Sequence, residues 1–341
     1  RLRLAACRSA TRDATARRWL SRAAAKAKAP LAASASADAA SYRQLSAVEH
    51  VLLRPGMYIG PVERQTESTW VFEGGKMVWR EVSYVPALLK LFDEVLVNAM
   101  DNVQRESGTR SIEVRIGGAA AGAEPALPAG ALSVYSDGRG IPIAQATGES
   151  HGASAAGVWL PQLVLGELYT GSNFDDGAGR TVGGRHGFGA KLANIFSEWF
   201  TVETADTRAG LAYSQTWRRN MAEVGPPLVR PLESGGKDFT RVTMLPDYAR
   251  LLGPGTPPLD ADTLALLVRR VHEAAACVWP TAAVGLNGSP VAVDGLEGLM
   301  RLYPRSEATA VVRQLGPRWR VGVAAPPDGA FAHVSFVNGV A

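Results

Sequence analysis

Gly183-Gly184-Arg185-His186-Gly187-Phe188-Gly189-Ala190-Lys191 packs four glycines into seven residues and runs directly into the apolar segment Leu192-Ala193-Asn194-Ile195-Phe196. Glycines at this density let backbone N–H groups converge on one point, because no Cβ blocks the approach. A helix beginning just after them adds the positive end of its dipole to that point, and Lys191 adds a mobile point charge. The combination suits a phosphate cradle made from the backbone of Gly184 through Gly189 together with Lys191. An ordinary glycine loop has the same composition, and the spacing is neither G-x-x-x-x-G-K-[ST] nor G-x-G-x-x-G. The cradle therefore needs partners elsewhere in the chain.

One partner lies upstream. From Pro86 to Asn102, Leu88, Leu91, Val95 and Met100 fall at helical spacing, as do Leu89, Phe92 and Leu96, and Pro86 suits a first turn. Glu94 and Asn98 are four apart and share one face of this predicted helix. A carboxylate and an amide stacked in this way suit a water molecule and a Mg²⁺ ion, both of which want oxygen ligands. A solvated polar stripe has the same spacing. Asp93 is the neighbouring alternative to Glu94 as a base. A third piece, Ser133-Val134-Tyr135-Ser136-Asp137-Gly138-Arg139-Gly140-Ile141-Pro142, is a short β-like run ending in an acidic, glycine-rich turn. A strand end of this kind can read the edge of a base.

In this order, E-x-x-x-N at Glu94 and Asn98, DGRGIP from Asp137 and GGxxGxGxK from Gly183 resemble the N, G1 and G2 boxes of the GHKL ATPases. The flanks narrow the resemblance. Leu52-Leu53-Arg54-Pro55-Gly56-Met57-Tyr58-Ile59-Gly60, DEVLVNAMDN, TGSNFDD, VGGRHGFGAKLANIFS, FTVETA and VSFVNGVA are similar to stretches of the eukaryotic type IIA family, DNA topoisomerase II, over Tyr42 to Ala341. The resemblance implies an α+β fold, the GHKL (Bergerat) two-layer sandwich of mixed β-sheet and helices, over residues 42–295. The start of a transducer domain follows at 296–341. ATP and Mg²⁺ are the implied cofactors. Glu94 would orient and deprotonate the attacking water, and Asn98 would bind Mg²⁺. ATP contacts are implied at Ser136, Asp137, Gly171, Ser172, Asn173, Gly184, Arg185, His186, Gly187, Phe188, Gly189, Ala190 and Lys191. Tyr42 falls where a strap tyrosine of the family touches the nucleotide of the other subunit. Without the resemblance, Tyr42 reads as a surface aromatic and SNFDDG as an ordinary turn. The implied function is an ATP-binding and hydrolysing gate. It would couple closure of a homodimer to passage of a DNA duplex, in the nucleus. Another kind of GHKL ATPase and a non-hydrolysing remnant are the alternatives.

Four positions depart from the family. Ser136 stands where Asp or Asn reads the adenine amino group; serine accepts a hydrogen bond but is shorter, so a bridging water is expected. His186 and Phe188 stand where Asn and Tyr are frequent, and Gly171 replaces a common serine. In the family a later transducer lysine reaches the γ-phosphate, and the DNA-cleaving tyrosine lies beyond it. The expectation is that this chain hydrolyses ATP poorly by itself and does not cut DNA.

The 341 residues are 46% hydrophobic, enough for a sizeable core, and no apolar run approaches the ~20 residues of a membrane span. Two cysteines, Cys7 and Cys277, make no disulfide framework and suit a reducing compartment. Residues 1–41 hold nine basic and two acidic side chains, +7 within a chain total of +4, so the remainder carries −3. This tail, otherwise mostly Ala and Ser, reads as a disordered arm. It suits contact with DNA phosphates, a chloroplast or mitochondrial transit peptide, or an extension without function. Downstream, a hairpin is predicted around Glu73-Gly74-Gly75-Lys76, loops at 117–130 and 148–157, and a short helix at 160–168. Strands are predicted at 111–116, 200–204, 211–217 and 239–245, and a helix at 259–279 whose Arg269-Arg270 pair forms a solvated face. The strands WRVGVAA and HVSFVNGVA are expected after about Leu296.

Overall fold

The apolar rows that follow Pro86 coil into one long helix, Pro86–Gln104, and the other elements are laid around it. The structure is a computed structural model that describes residues 44–105, 108–118, 126–168, 170, 187–304, 310–316, 319–325 and 331–340. Its elements belong to one compact unit, Ala47–Ala341. In chain order they are α1 (Ala47–Leu53), α2 (Gly56–Ile59), β1 (Gln65–Glu73), β2 (Lys76–Tyr84), α3 (Pro86–Gln104), β3 (Ser111–Ile116), β4 (Leu132–Asp137), α4 (Gly148–His151), α5 (Leu160–Gly166) and α6 (Gly189–Ile195). There follow β5 (Ser197–Asp206), β6 (Leu211–Arg218), β7 (Glu223–Val224), β8 (Leu228–Pro231), β9 (Phe239–Pro246), α7 (Tyr248–Leu252), α8 (Ala261–Val278), β10 (Ala283–Leu286), β11 (Ser289–Pro290), α9 (Gly295–Leu302), β12 (Val311–Gly316) and β13 (Trp319–Val323).

Nine strands form one mixed sheet in the order β11-β10-β3-β4-β9-β5-β6-β7, with β8 also paired to β6. The β10–β3 pair is parallel and its neighbours are antiparallel. Alternation along the strands divides the sheet into two faces. Ile112, Val114, Leu132 and Val134 join Phe92, Val95, Leu96 and Met100 of α3 and Leu267, Val271 and Ala274 of α8 in the main core. Glu113, Arg115, Ser133 and Tyr135 face the other way and, with Arg241, line a shallow depression. The result is a two-layer sandwich, with α3 and α8 packed on one face of the sheet. Burying a Leu, Val or Phe side chain contributes about 1.5–3 kcal/mol, so the fully buried Leu88, Leu91, Phe92 and Leu96 make α3 the main anchor of the helical layer.

Local chemistry sets the element ends. Pro86 occupies the first turn of α3, and Ala87 N–H is satisfied by Pro61 O at 3.0 Å. Asp260 caps α8 by accepting from Thr263 N–H at 2.8 Å. Asp262, one residue into that helix, accepts from Ser83 N–H at 2.8 Å and Arg80 Nη1 at 2.6 Å, tying the β1–β2 hairpin to it. The hairpin has the expected register, Trp70 opposite Trp79, and Gly74 and Gly75 turn it with φ of +57° and +84°.

Several expectations need correction. Residues 148–157 are not all loop, because Gly148–His151 closes a helical turn. Helix α9 precedes the last hairpin; its Leu299 and Gly298 pack inward, a 3.6-residue pattern hidden by the glycines. HVSFVNGVA forms no strand, since Asn338 and Gly339 have φ of +52° and +80° and fold Val337 back onto Val340. Arg269-Arg270 is not a solvated face either: Arg270 is 4% exposed.

Candidate functional site

Helix α3 presents Glu94 half-buried and Asn98 exposed, one turn apart. Glu94 forms an ion pair with Lys90, one turn back. The reason for glycine at 189 is visible here. A Cβ on Gly189 would lie 2.0 Å from Glu94 Oε2. The first residue of α6 is thus pressed against the carboxylate, which brings two motifs 95 residues apart into contact. Gly187, just before, has φ of +65°, a conformation that glycine adopts without penalty. Phe188 packs on a second apolar cluster and lies beside Tyr58, ring centroids 6.4 Å apart. Ala190 is core.

Lys191 is 1% exposed. Its ammonium donates to Thr170 O and, at 2.5 Å, to Gly187 O. Burial pushes its pKa down to about 8, because a desolvated ammonium is disfavoured. A phosphate would compete with both carbonyls for this cation. Asn194, on the same helix, donates to Leu165 O at 3.1 Å and holds α6 to α5, while its Oδ1 has no partner.

The strand-end turn is built differently. Ser136 is 4% exposed and lies on the helix-facing side of β4. It is directly opposite Thr240 on β9, which is directly opposite Thr204 on β5. The two threonine hydroxyls are 3.1 Å apart, so three hydroxyl side chains form a row across three strands. Gly140 closes over that row, and a Cβ there would meet Thr204 Oγ1 and Thr240 Oγ1 at 2.6 Å. The Asp137 carboxylate is engaged elsewhere. Its Oδ1 accepts from Arg110 N–H at 2.6 Å and Ser111 N–H at 2.7 Å, capping the start of β3. Thr109 Oγ1 donates to Asp137 O at 2.8 Å and accepts from Asn102 Nδ2 at 3.0 Å, linking the turn to the end of α3.

Asp93 is also engaged, its Oδ1 accepting from Arg270 Nε at 2.6 Å. Tyr42, Gly171, Ser172, Asn173, Gly184, Arg185 and His186 lie outside the described residues. Sequence reasoning missed Thr204, Thr240, Thr109 and Asn102. Only strand register brings the first two together beside Ser136, and nothing local in the sequence reports it. Among the described residues no group of three His, Cys, Asp or Glu side chains could hold a metal ion.

The sandwich, with an E-x-x-x-N helix beside a glycine segment, is the GHKL fold. The 43K ATPase domain of Thermus thermophilus gyrase B shares it, with a TM-score of 0.51 at 21% identity over 79% of this chain and 59% of that one. No family model matches the chain. Among solved structures, the ATPase and transducer domains of DNA topoisomerase II from Balamuthia mandrillaris align with a TM-score of 0.77 at 41% identity, covering 87% of this chain and 72% of that one. The ATPase region of Saccharomyces cerevisiae topoisomerase II bound to ICRF-187 gives 0.77 at 36% identity, over 88% and 75%. DNA topoisomerase 2 of Penicillium chrysogenum is 40% identical over 314 residues, 88% of this chain and 18% of that protein. A relative from Caenorhabditis elegans, 40% identical over 86% of this chain and 24% of its own length, carries the word mitochondrial in its name. The chain belongs to the DNA topoisomerase II family, and it spans about a fifth of the length of the curated relatives it matches.

Proposed function

We propose that this chain is the ATP-operated gate of a type II DNA topoisomerase. It binds Mg–ATP between α3, the strand-end turn and the glycine segment, and hydrolyses it with Glu94 as base. The contact between the Glu94 carboxylate and Gly189 carries this reading. It sets a proton acceptor directly against the backbone of the glycine segment, a closeness that a side chain at 189 would prevent. Lys90, paired with Glu94 one turn back, holds the carboxylate in place. The residues present fit the metal as well: Asn98 is an exposed oxygen donor one turn from the base. When bound, Mg²⁺ offsets charge on the phosphates. Asn98 would orient it, backbone N–H groups from Gly187 onward and Lys191 would take phosphate oxygens, and Ser136 with Thr240 and Thr204 would receive the adenine edge.

Residues 42–295 then serve as the ATPase domain and 296–341 as the opening of the transducer, with the basic tail before them. In the whole protein, nucleotide binding would close a homodimer on duplex DNA in the nucleus, or in an organelle if the tail is a transit peptide. Titration with a non-hydrolysable ATP analogue, with and without Mg²⁺, tests the reading. Asn98→Ala should weaken Mg–ATP binding tenfold or more, about 1.5–3 kcal/mol for a charge-assisted or metal-linked contact. Equal affinity in both proteins would refute the role of Asn98, and analogue binding without turnover would leave a non-hydrolysing module.

A further inference from the structure

Arg270 sits in α8 with its guanidinium in the core. Nε donates to Asp93 Oδ1 at 2.6 Å, Nη2 donates to Gly339 O at 2.5 Å, and Nη1 lies 3.8 Å from Glu273 Oε2. Glu273 is 2% exposed and also faces Arg269, at 3.1 Å. Arg270 Nη1 and Glu273 Oε2 are left without hydrogen bonds. A buried ionic cluster with unsatisfied atoms is weak evidence for stability, because apolar side chains of similar volume commonly do as well. The cluster does accomplish something apolar residues cannot: it joins three distant pieces of chain at fixed hydrogen-bond geometry.

Those pieces are α8, the helix that carries Glu94, and the turn at Asn338-Gly339. Asp93 is the immediate neighbour of Glu94. The turn itself touches α3 at Met100, two helical turns beyond Asp93 on the same face. A Cβ on Gly339 would lie 2.7 Å from Met100 Cε. One face of α3 is therefore tied to the turn through Arg270 at Asp93 and directly at Met100, while the adjoining face presents Glu94 and Asn98. A small roll of α3 about its axis would shift both site residues together.

We infer that Arg270 is a positioning residue that locks the rotational setting of α3 to the 337–340 turn, so that movement of that turn is transmitted to the Glu94 carboxylate. The inference rests on the reading of Glu94 as the base. It makes the segment after the nucleotide-binding unit a regulator of turnover through a contact distinct from the phosphate site.

The test uses the whole chain with Arg270→Lys, Arg270→Met and Gly339→Ala. Hydrogen exchange is read across 93–100, nucleotide-analogue affinity by titration, and phosphate release in single turnover. Gly339→Ala leaves every charge in place and lifts only the turn, so it serves even if Arg270→Met does not fold. It should reduce protection across 93–100 about tenfold. Turnover should fall on the order of 10–100-fold, the cost of misplacing a base by about an ångström, while analogue affinity is kept. Arg270→Lys should keep part of the turnover, and Arg270→Met should lower protection and turnover in the same direction as Gly339→Ala. Wild-type exchange across 93–100 in Gly339→Ala would overturn the inference. So would equal losses of affinity and turnover, which would mark a purely structural cluster. If the wild type binds no analogue, the ATP reading fails, while the exchange result still decides the coupling.

Discussion

The helical end and the sheet end of the proposed site are made by different means. Glu94, Asn98 and Gly189 are carried by two helices, and their geometry follows from helical spacing and one close backbone approach. Ser136, Thr240 and Thr204 are carried by three strands, and only the register of β4, β9 and β5 aligns them. The helical end carries ionised groups: Glu94 paired to Lys90, and Lys191 held on backbone carbonyls. The sheet end offers hydroxyls, and the Asp137 carboxylate is used as a cap. The chemistry should therefore be sensitive to ångström-scale change at the helical end, while the sheet end should tune affinity and base choice in smaller steps.

The sharpest way to break that contrast is Gly189→Ala. The added methyl would fall 2.0 Å from Glu94 Oε2, the free end of a flexible side chain. The fold should absorb it by swinging the carboxylate away, with little loss of thermal stability. Turnover should then drop on the order of 10²-fold, as for other misplacements of a catalytic group. A variant that unfolds, or one that turns over normally, would show that the Glu94–Gly189 contact has been misread. At the sheet end, Ser136→Asp should tighten ATP and sharpen discrimination against GTP by about tenfold, the worth of one added charge-assisted hydrogen bond. Because position 136 is buried, some stability should be lost. If affinity and discrimination stay put, Ser136 is not where the base is read.

The smallest effect is on pH. Burial lowers the Lys191 pKa from 10.5 to about 8 in the folded chain. Below pH 8 the ammonium is charged in both folded and unfolded states, and the fold bears its full burial cost. Between pH 8 and 10.5 the folded chain loses the proton first, so stability rises with pH across that window, by at most about 3 kcal/mol. The Tm of Lys191→Met, measured against wild type, should lose ground as pH rises from 7 to 10. A difference that is constant with pH would mean Lys191 titrates normally.

What could be read from the sequence follows the same division. The long helix, the hairpin at Gly74-Gly75 and the Glu94–Asn98 pair are local patterns and were legible. The contact of Glu94 with Gly189 and the hydroxyl row depend on how distant segments meet, which spacing does not report. Arg270 was misread because two adjacent arginines are solvated by default; only the packing of Asp93, Glu273 and Gly339 around it makes burial tolerable. Lys191 was legible as a cation beside the glycines, but its engagement with Thr170 O and Gly187 O was not.

The most direct test of the central claim, that Glu94 acts on water rather than on the nucleotide, is Glu94→Gln assayed for both steps in the same preparation. Analogue titration reports binding, light scattering reports dimer closure, and phosphate release reports chemistry. A general base contributes about 10²–10⁴ in rate, and removing its charge from the neighbourhood of the phosphates should leave binding intact or slightly tighter. The account predicts lost turnover with retained binding and closure. Loss of binding together with turnover would make Glu94 a structural residue, and turnover that survives the substitution would contradict the assignment outright.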